Sequence, residues 1–163
     1  MSTMSDTERI RALRKSGDHE AARTLALALA TAHPSDAALQ YETACVHDYL
    51  GLGAEAIPFY RVALAGTLAD EQRRGAYLGL CSSYRARGRY AEALAVADQG
   101  LSAFPDACAL KVFRAIVLYN LNDAKQAVCT LLEVLADSCA DPEMRQYEAA
   151  IRLYAQDPDR QWR

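Results

Sequence analysis

A basic surplus, paired cysteines, a complete phosphate-binding loop and any long apolar run are all missing from this sequence. Each absence removes a class of function. The 163 residues hold 18 lysines and arginines against 21 aspartates and glutamates, a net charge of −3. Proteins that grip nucleic acid carry a basic excess to neutralise phosphates, so no nucleic-acid partner is expected. The most apolar stretch, Leu25 to Ala30, is far too short to cross a bilayer, and no membrane partner is expected. Residues 1–8 show no basic segment leading into an apolar one, so no secretory signal is read there.

Five cysteines, Cys45, Cys81, Cys108, Cys129 and Cys139, are odd in number and widely spread, without a Cys-x-x-Cys pair. Zinc sites need short, paired ligand spacings, so no metal is expected. Free thiols in a reducing, cytoplasmic compartment are expected instead. Gly51-Leu52-Gly53 is a fragment of a phosphate loop with no strand before it, and no cofactor follows from it. What is present is a globular balance of 52% hydrophobic and 24% charged residues, enough for one folded domain over 1–163 with a sizeable core.

Internal repetition then dominates the reading. Gly17, Gly51, Gly88 and Asn122 are spaced 34, 37 and 34 residues apart (51−17, 88−51, 122−88). All four tolerate the left-handed backbone needed between two helices. Seven residues before each lies Ile10, Ala44, Cys81 or Ala115, and four before it Leu13, His47, Tyr84 or Leu118. Five after it comes an alanine, Ala22, Ala56, Ala93 or Ala127. Nine after it come Ala26, Tyr60, Ala97 and Leu131, and thirteen after it Ala30, Leu64, Leu101 and Leu135.

Such steps keep these residues on one helical stripe, and the small ones let helices approach closely. Each unit reads as helix, tight turn, helix. Asp36, Asp70 and Asp106 sit where the first helices of later units need an N-cap. Asp141-Pro142 starts a ninth helix to Ala155, and Ser5-x-x-Glu8 has the capping-box form. The second unit is three residues longer, and residues 68–74 should lengthen the fifth helix. Gly75, Gly79 and Ser83 on that helix form a small-residue stripe read as close packing rather than as a docking surface. Pro58 is read as lying near a helix start, where its missing amide is tolerated.

The pattern resembles the tetratricopeptide repeat, a helical hairpin of about 34 residues with the consensus W-x2-L-G-x2-Y, A-x3-F, P. The third unit matches best, with Tyr77, Leu80, Cys81, Tyr84, Ala93, Ala97 and Pro105; no unit carries the tryptophan. More narrowly, the chain resembles compact bacterial members built of the repeats alone, for which dimerisation has been suggested. The resemblance implies an all-α, right-handed superhelix of four hairpins, at about 5–36, 37–70, 71–107 and 108–141. A C-terminal capping helix over about 142–155 and a tail over 156–163 follow.

It also implies a concave, partner-binding groove built by the first helix of each hairpin. Carried over by register, that groove presents Thr7, Arg11 and Arg14, then Tyr41, Cys45, Asp48 and Tyr49. Leu78, Ser82 and Arg85 follow, then Val112, Ile116, Tyr119 and Asn120. Relatives that clamp C-terminal carboxylates use two lysines and two asparagines. The matching positions here are Thr7, Arg11, Glu42, Gly75 and Gly79, so that clamp is absent.

The function expected is a non-catalytic protein–protein interaction scaffold that self-associates as a homodimer. Its dimer surface would be Met144, Tyr147, Ile151 and Tyr154 of the last helix, next to apolar residues of the fourth hairpin. Two rivals stay open. One is an adaptor that binds a peptide or helix of a different protein in the groove. The other, more remote, is a small enzyme using Cys45 or His47. His19 in a turn, His33 before Pro34 and His47 in the core register supply no acid–base pair. The arginines Arg73, Arg74, Arg85, Arg87 and Arg89 read as a solvated face paired with Glu71, Glu92 and Asp98. Trp162, the single tryptophan, stands in the tail as a possible hydrophobic anchor.

Overall fold

The computed structural model describes residues 4–161, and Trp162 lies outside them. Among the described residues there are ten helices and no strand. They are α1 (Asp6–Lys15), α2 (His19–Ala32), α3 (Ala37–Tyr49), α4 (Gly53–Ala65) and α5 (Asp70–Ala86). There follow α6 (Tyr90–Ala103), α7 (Cys108–Asn120), α8 (Ala124–Ser138), α9 (Pro142–Gln146) and α10 (Glu148–Gln156). The chain divides into two compact units, Met1–Arg89 and Tyr90–Arg163.

The turns come out where the repeat puts them. The positive-φ residues described are Gly17 (88°), Gly51 (75°), Gly88 (72°) and Asn122 (64°). Each closes a Schellman motif. The amide of the following residue donates to the carbonyl four residues before the turn: Asp18 to Leu13 (3.1 Å), Leu52 to His47 (2.8 Å), Arg89 to Tyr84 (2.9 Å) and Asp123 to Leu118 (2.9 Å). So the repeated positions Leu13, His47, Tyr84 and Leu118 do two things: they supply the acceptor that ends the helix and a side chain for the interior.

This makes Gly51 a clean test of backbone strain. A Cβ there would meet nothing within 4 Å, so any loss belongs to the backbone alone. Gly51→Ala should destabilise by about 1 kcal/mol, and Gly51→Asn by clearly less, because asparagine tolerates the left-handed region. Urea unfolding measures both; equal stability of wild type and Gly51→Ala would refute the assignment.

In the first unit α3 packs against α1, α2, α4 and α5. One core cluster joins Ile10, Ala22, Ala26, Leu39 and Val46, with Leu13, Leu25, Leu29 and Leu50 against it. In the second unit Ala115, Leu118 and Ala127 pack together with Leu94. The four alanines five residues past the turns are all buried. The fifth helix is long, 17 residues, as the extra segment predicts.

Several expectations are corrected. Asp36 caps α3, accepting from the amides of Ala38 and Leu39 at 3.0 Å, but Asp70 and Asp106 do not cap. Helix α5 begins one residue earlier, with Ala69 at its cap and Asp70 inside its first turn, where the carboxylate still faces the positive helix end. Ala107 occupies the cap of α7: its amide donates to the Phe104 carbonyl just as that of Asp36 donates to His33, so Asp106 stands one residue before the cap position. Two aspartates not singled out, Asp18 and Asp123, cap α2 and α8.

Pro58 is the sixth residue of α4 rather than near its start. It removes an interior amide, with its ring on the exposed side. The predicted ninth helix is two: Tyr147 (φ −104°, ψ 6°) separates α9 from α10, its amide donating to the Met144 carbonyl three residues back. Leu131, placed in the core register, is 41% exposed. Helix α8 packs on both α7 and α10, so its buried positions become Ala127, Cys129 and Thr130.

Candidate functional site

The predicted groove residues of the first unit sit around two polar clusters centred on α3. The first is ionic. The Glu42 side chain is 1% exposed and receives Arg11 Nε at 2.6 Å on Oε1, while Arg14 stands 3.9 Å from Oε2. Oε2 accepts no hydrogen bond. Arg11 and Arg14 are therefore partly committed inward. Both still reach solvent, at 38% and 25% exposure.

The second cluster joins α3, α4 and α5. Asp48 accepts the Tyr60 hydroxyl on Oδ2 (2.7 Å) and the Ser83 hydroxyl on Oδ1 (2.9 Å). Tyr60 also reaches Cys45 Sγ at 3.9 Å, and the Tyr41 and Tyr60 rings lie 6.3 Å apart. The small-residue stripe of α5 makes room for these rings. A Cβ at Gly75 would strike the Tyr41 hydroxyl, and one at Gly79 would strike the Tyr60 ring. The close-packing reading of the stripe is thus the observed one.

Burial sets the electrostatics here. It pushes the Cys45 thiol, the Tyr41 and Tyr60 hydroxyls and the Asp48 carboxyl above their ordinary pKa values. At Asp48 the Tyr60 and Ser83 hydrogen bonds partly oppose the shift. Buried Cys81 is pushed up to about 11. Cys45 is a half-buried thiol among tyrosine hydroxyls. His47 points elsewhere: its Nδ1 donates to the Thr43 carbonyl (2.7 Å) and its ring stacks on Phe59 at 5.2 Å.

Other groove residues spread out. Tyr49 is 65% exposed and lies against the ring of His19 at 4.4 Å. Leu78, Ser82 and Arg85 line α5 half-buried. Of the arginine group, Arg73 donates to the carbonyls of Leu64 (3.1 Å) and Gly66 (2.6 Å), stapling the α4–α5 connection. Asp98, expected to serve that group, pairs with Arg114 at 2.6 Å.

In the second unit Val112 and Asn120 of α7 are half-buried, while Ile116 (36%) and Tyr119 (65%) are exposed. On the last helices Met144 and Ile151 line one small cleft with Leu135 of α8 and Cys139, the residue that ends that helix. Tyr147 (58%) and Tyr154 (39%) face outward. Arg152 fastens α10 to α8 through Asp137 at 2.9 Å. Of the four residues named for a dimer surface, two are therefore largely turned inward.

Sequence reasoning missed Glu42 as the centre of the ionic cluster, and Tyr60 and Ser83 as the partners of Asp48. The available signal was Tyr60 itself, a large residue at a position that holds alanine in the first and third units, opposite glycines on α5. Among the described residues no cluster of three or more histidines, cysteines or acidic residues could hold a metal. No helix among the described residues is long and apolar enough to cross a membrane.

Residues 37–157 match the family profile described as "Tetratrico peptide repeat". A solved structure titled "Podosopora anserina putative kinesin light chain nearly identical TPR-like repeats" is similar at a TM-score of 0.65 and 22% identity. The match covers 94% of this chain and 86% of that one. No curated protein matches this chain. At that identity the solved structure speaks to the fold alone.

Proposed function

The chain belongs to the tetratricopeptide-repeat family, and from that membership we propose that it is a non-catalytic protein-interaction scaffold that pairs with itself. Repeats of this family generally serve protein–protein interaction through their helical surfaces. The observation that carries self-association is the outward apolar surface of the second unit: Ile116 and Tyr119 on α7, and Tyr147 and Tyr154 on the last helices. Large apolar groups gathered on one compact unit are what a subunit interface covers. The absence of catalysis is supported by Cys45 having no histidine beside it and a thiol that burial keeps protonated. A cytoplasmic setting agrees with the five free cysteines.

Sedimentation of the purified chain tests this. The wild type should be a dimer at about 10–50 μM, and Tyr147→Glu with Tyr154→Glu should weaken dimerisation by about tenfold or more. A wild-type monomer across that range refutes the proposal. The adaptor reading draws on the first unit, where Arg11, Tyr41, Asp48 and Ser82 leave polar groups accessible on the first-helix face.

A further inference from the structure

Asp48 is a half-buried carboxyl group that forms no ion pair with a lysine or arginine among the described residues. It is the penultimate residue of α3, and its carboxylate accepts only the Tyr60 and Ser83 hydroxyls. A carboxylate has about four acceptor positions, so room remains for further donors. Burial already disfavours its charge. It also stands at the negative end of the α3 dipole, where a carboxylate is unfavourable and a cation favourable.

The space beside it is open. Asp48, Gly51, Gly53, Ser82, Ser83, Ala86 and the exposed Arg87 line a depression. Two glycines leave that wall without side chains: a Cβ at Gly51 would touch nothing, and one at Gly53 would lie 3.8 Å from Asp48 Oδ1. Ser83 lies in the last turn of α5 and Ser82 just before it, so a second helix C-terminus contributes negative potential. The positive end of α4 at Gly53 and the Arg87 guanidinium act the other way. Arg87 nevertheless makes no ion pair with Asp48.

We propose that this depression is a subsite for one cationic group, the ammonium of a lysine in a partner polypeptide, bound to Asp48 between the α3 and α5 termini. The subsite rests on the protein-binding reading but not on self-association. The Asp48 oxygens left free accept the ammonium's protons, Ser82 adds a hydroxyl acceptor, and the glycine wall gives access. The α3 and α5 ends are set against the α4 end and Arg87, so selection by charge rests on the Asp48 carboxylate itself.

The test is a titration of the ¹⁵N-labelled full chain with Nα-acetyl-lysine amide, with neutral Nα-acetyl-norleucine amide and Nα-acetyl-glutamate amide as comparisons. The lysine derivative alone should shift the amides of Asp48, Gly51, Gly53 and Ser82 saturably. Asp48→Asn keeps partners for both hydroxyls and should weaken binding about fivefold or more, the scale of one half-exposed ion pair. Gly53→Val, which narrows the depression without changing charge, should weaken it as well. Equal shifts with norleucine amide, undiminished binding by Asp48→Asn, or stronger binding of the glutamate derivative overturns the proposal. Sedimentation of the same samples separates the two readings. A monomer that binds lysine amide removes only the dimer, and a dimer that does not bind it removes only the subsite.

Discussion

Replacing Arg11 and Arg14 together by alanine should destabilise the protein by about 3 kcal/mol, the low end of the penalty for stranding a buried charge. Glu42 is 1% exposed and cannot turn to water without opening the α1–α3 contact. With both guanidiniums gone, it must either stay charged in a poorly solvated site or take up a proton. The low end applies because Arg11, at 38% exposure, already shares its charge with solvent, which weakens the pair being lost. Removing the acid instead should be milder. Glu42→Leu leaves two arginines that reach solvent and fills the space with carbon, and a cost of about 1 kcal/mol or less is expected. Urea unfolding of the three proteins decides. A double-arginine variant as stable as wild type would mean that Glu42 needs no counter-charge.

Gly79→Ala should also destabilise, by about 1–2 kcal/mol, against the direction of helix propensity. In an open helix that substitution stabilises by about 0.5–1 kcal/mol. Here the new methyl group collides with the Tyr60 ring, which is 3% exposed and tied to Asp48. Overpacking of this kind costs about 1–3 kcal/mol and outweighs the propensity gain. Gly75→Ala is the built-in comparison. Its methyl group meets mainly the hydroxyl end of half-buried Tyr41, which can swing aside, so the change should be close to neutral. If Gly79→Ala raises the thermal midpoint instead, propensity governs the site and the tyrosine packing does not.

The repeat was legible in the sequence because its signals are local. A left-handed residue after a helix, an apolar stripe at steps of three and four, and a capping aspartate or serine act within one or two turns of chain. The left-handed turn acts the same way in every unit, so Gly17, Gly51, Gly88 and Asn122 took their conformations as read. Ile10, Ala44, Cys81 and Ala115 are buried for the same reason. The all-helical fold and the family followed from that register.

Tertiary structure decided whatever depends on a partner remote in sequence. Leu131 obeys the repeat spacing yet faces outward, since α10 covers a different side of α8. The last helix breaks at Tyr147, which no local breaker residue announces, and Met144 and Ile151 line the α8 side while Tyr147 and Tyr154 are exposed. The groove register named Arg11, Cys45 and Asp48 separately. What they touch was settled by residues outside that register: buried Glu42, Tyr60 reaching from α4, and Ser83 from α5. Periodicity states which face of a helix is covered. The side chain that covers it, and the charge left over, come from how neighbouring helices cross, which is set by the volumes of residues such as Gly79 and Tyr60 together.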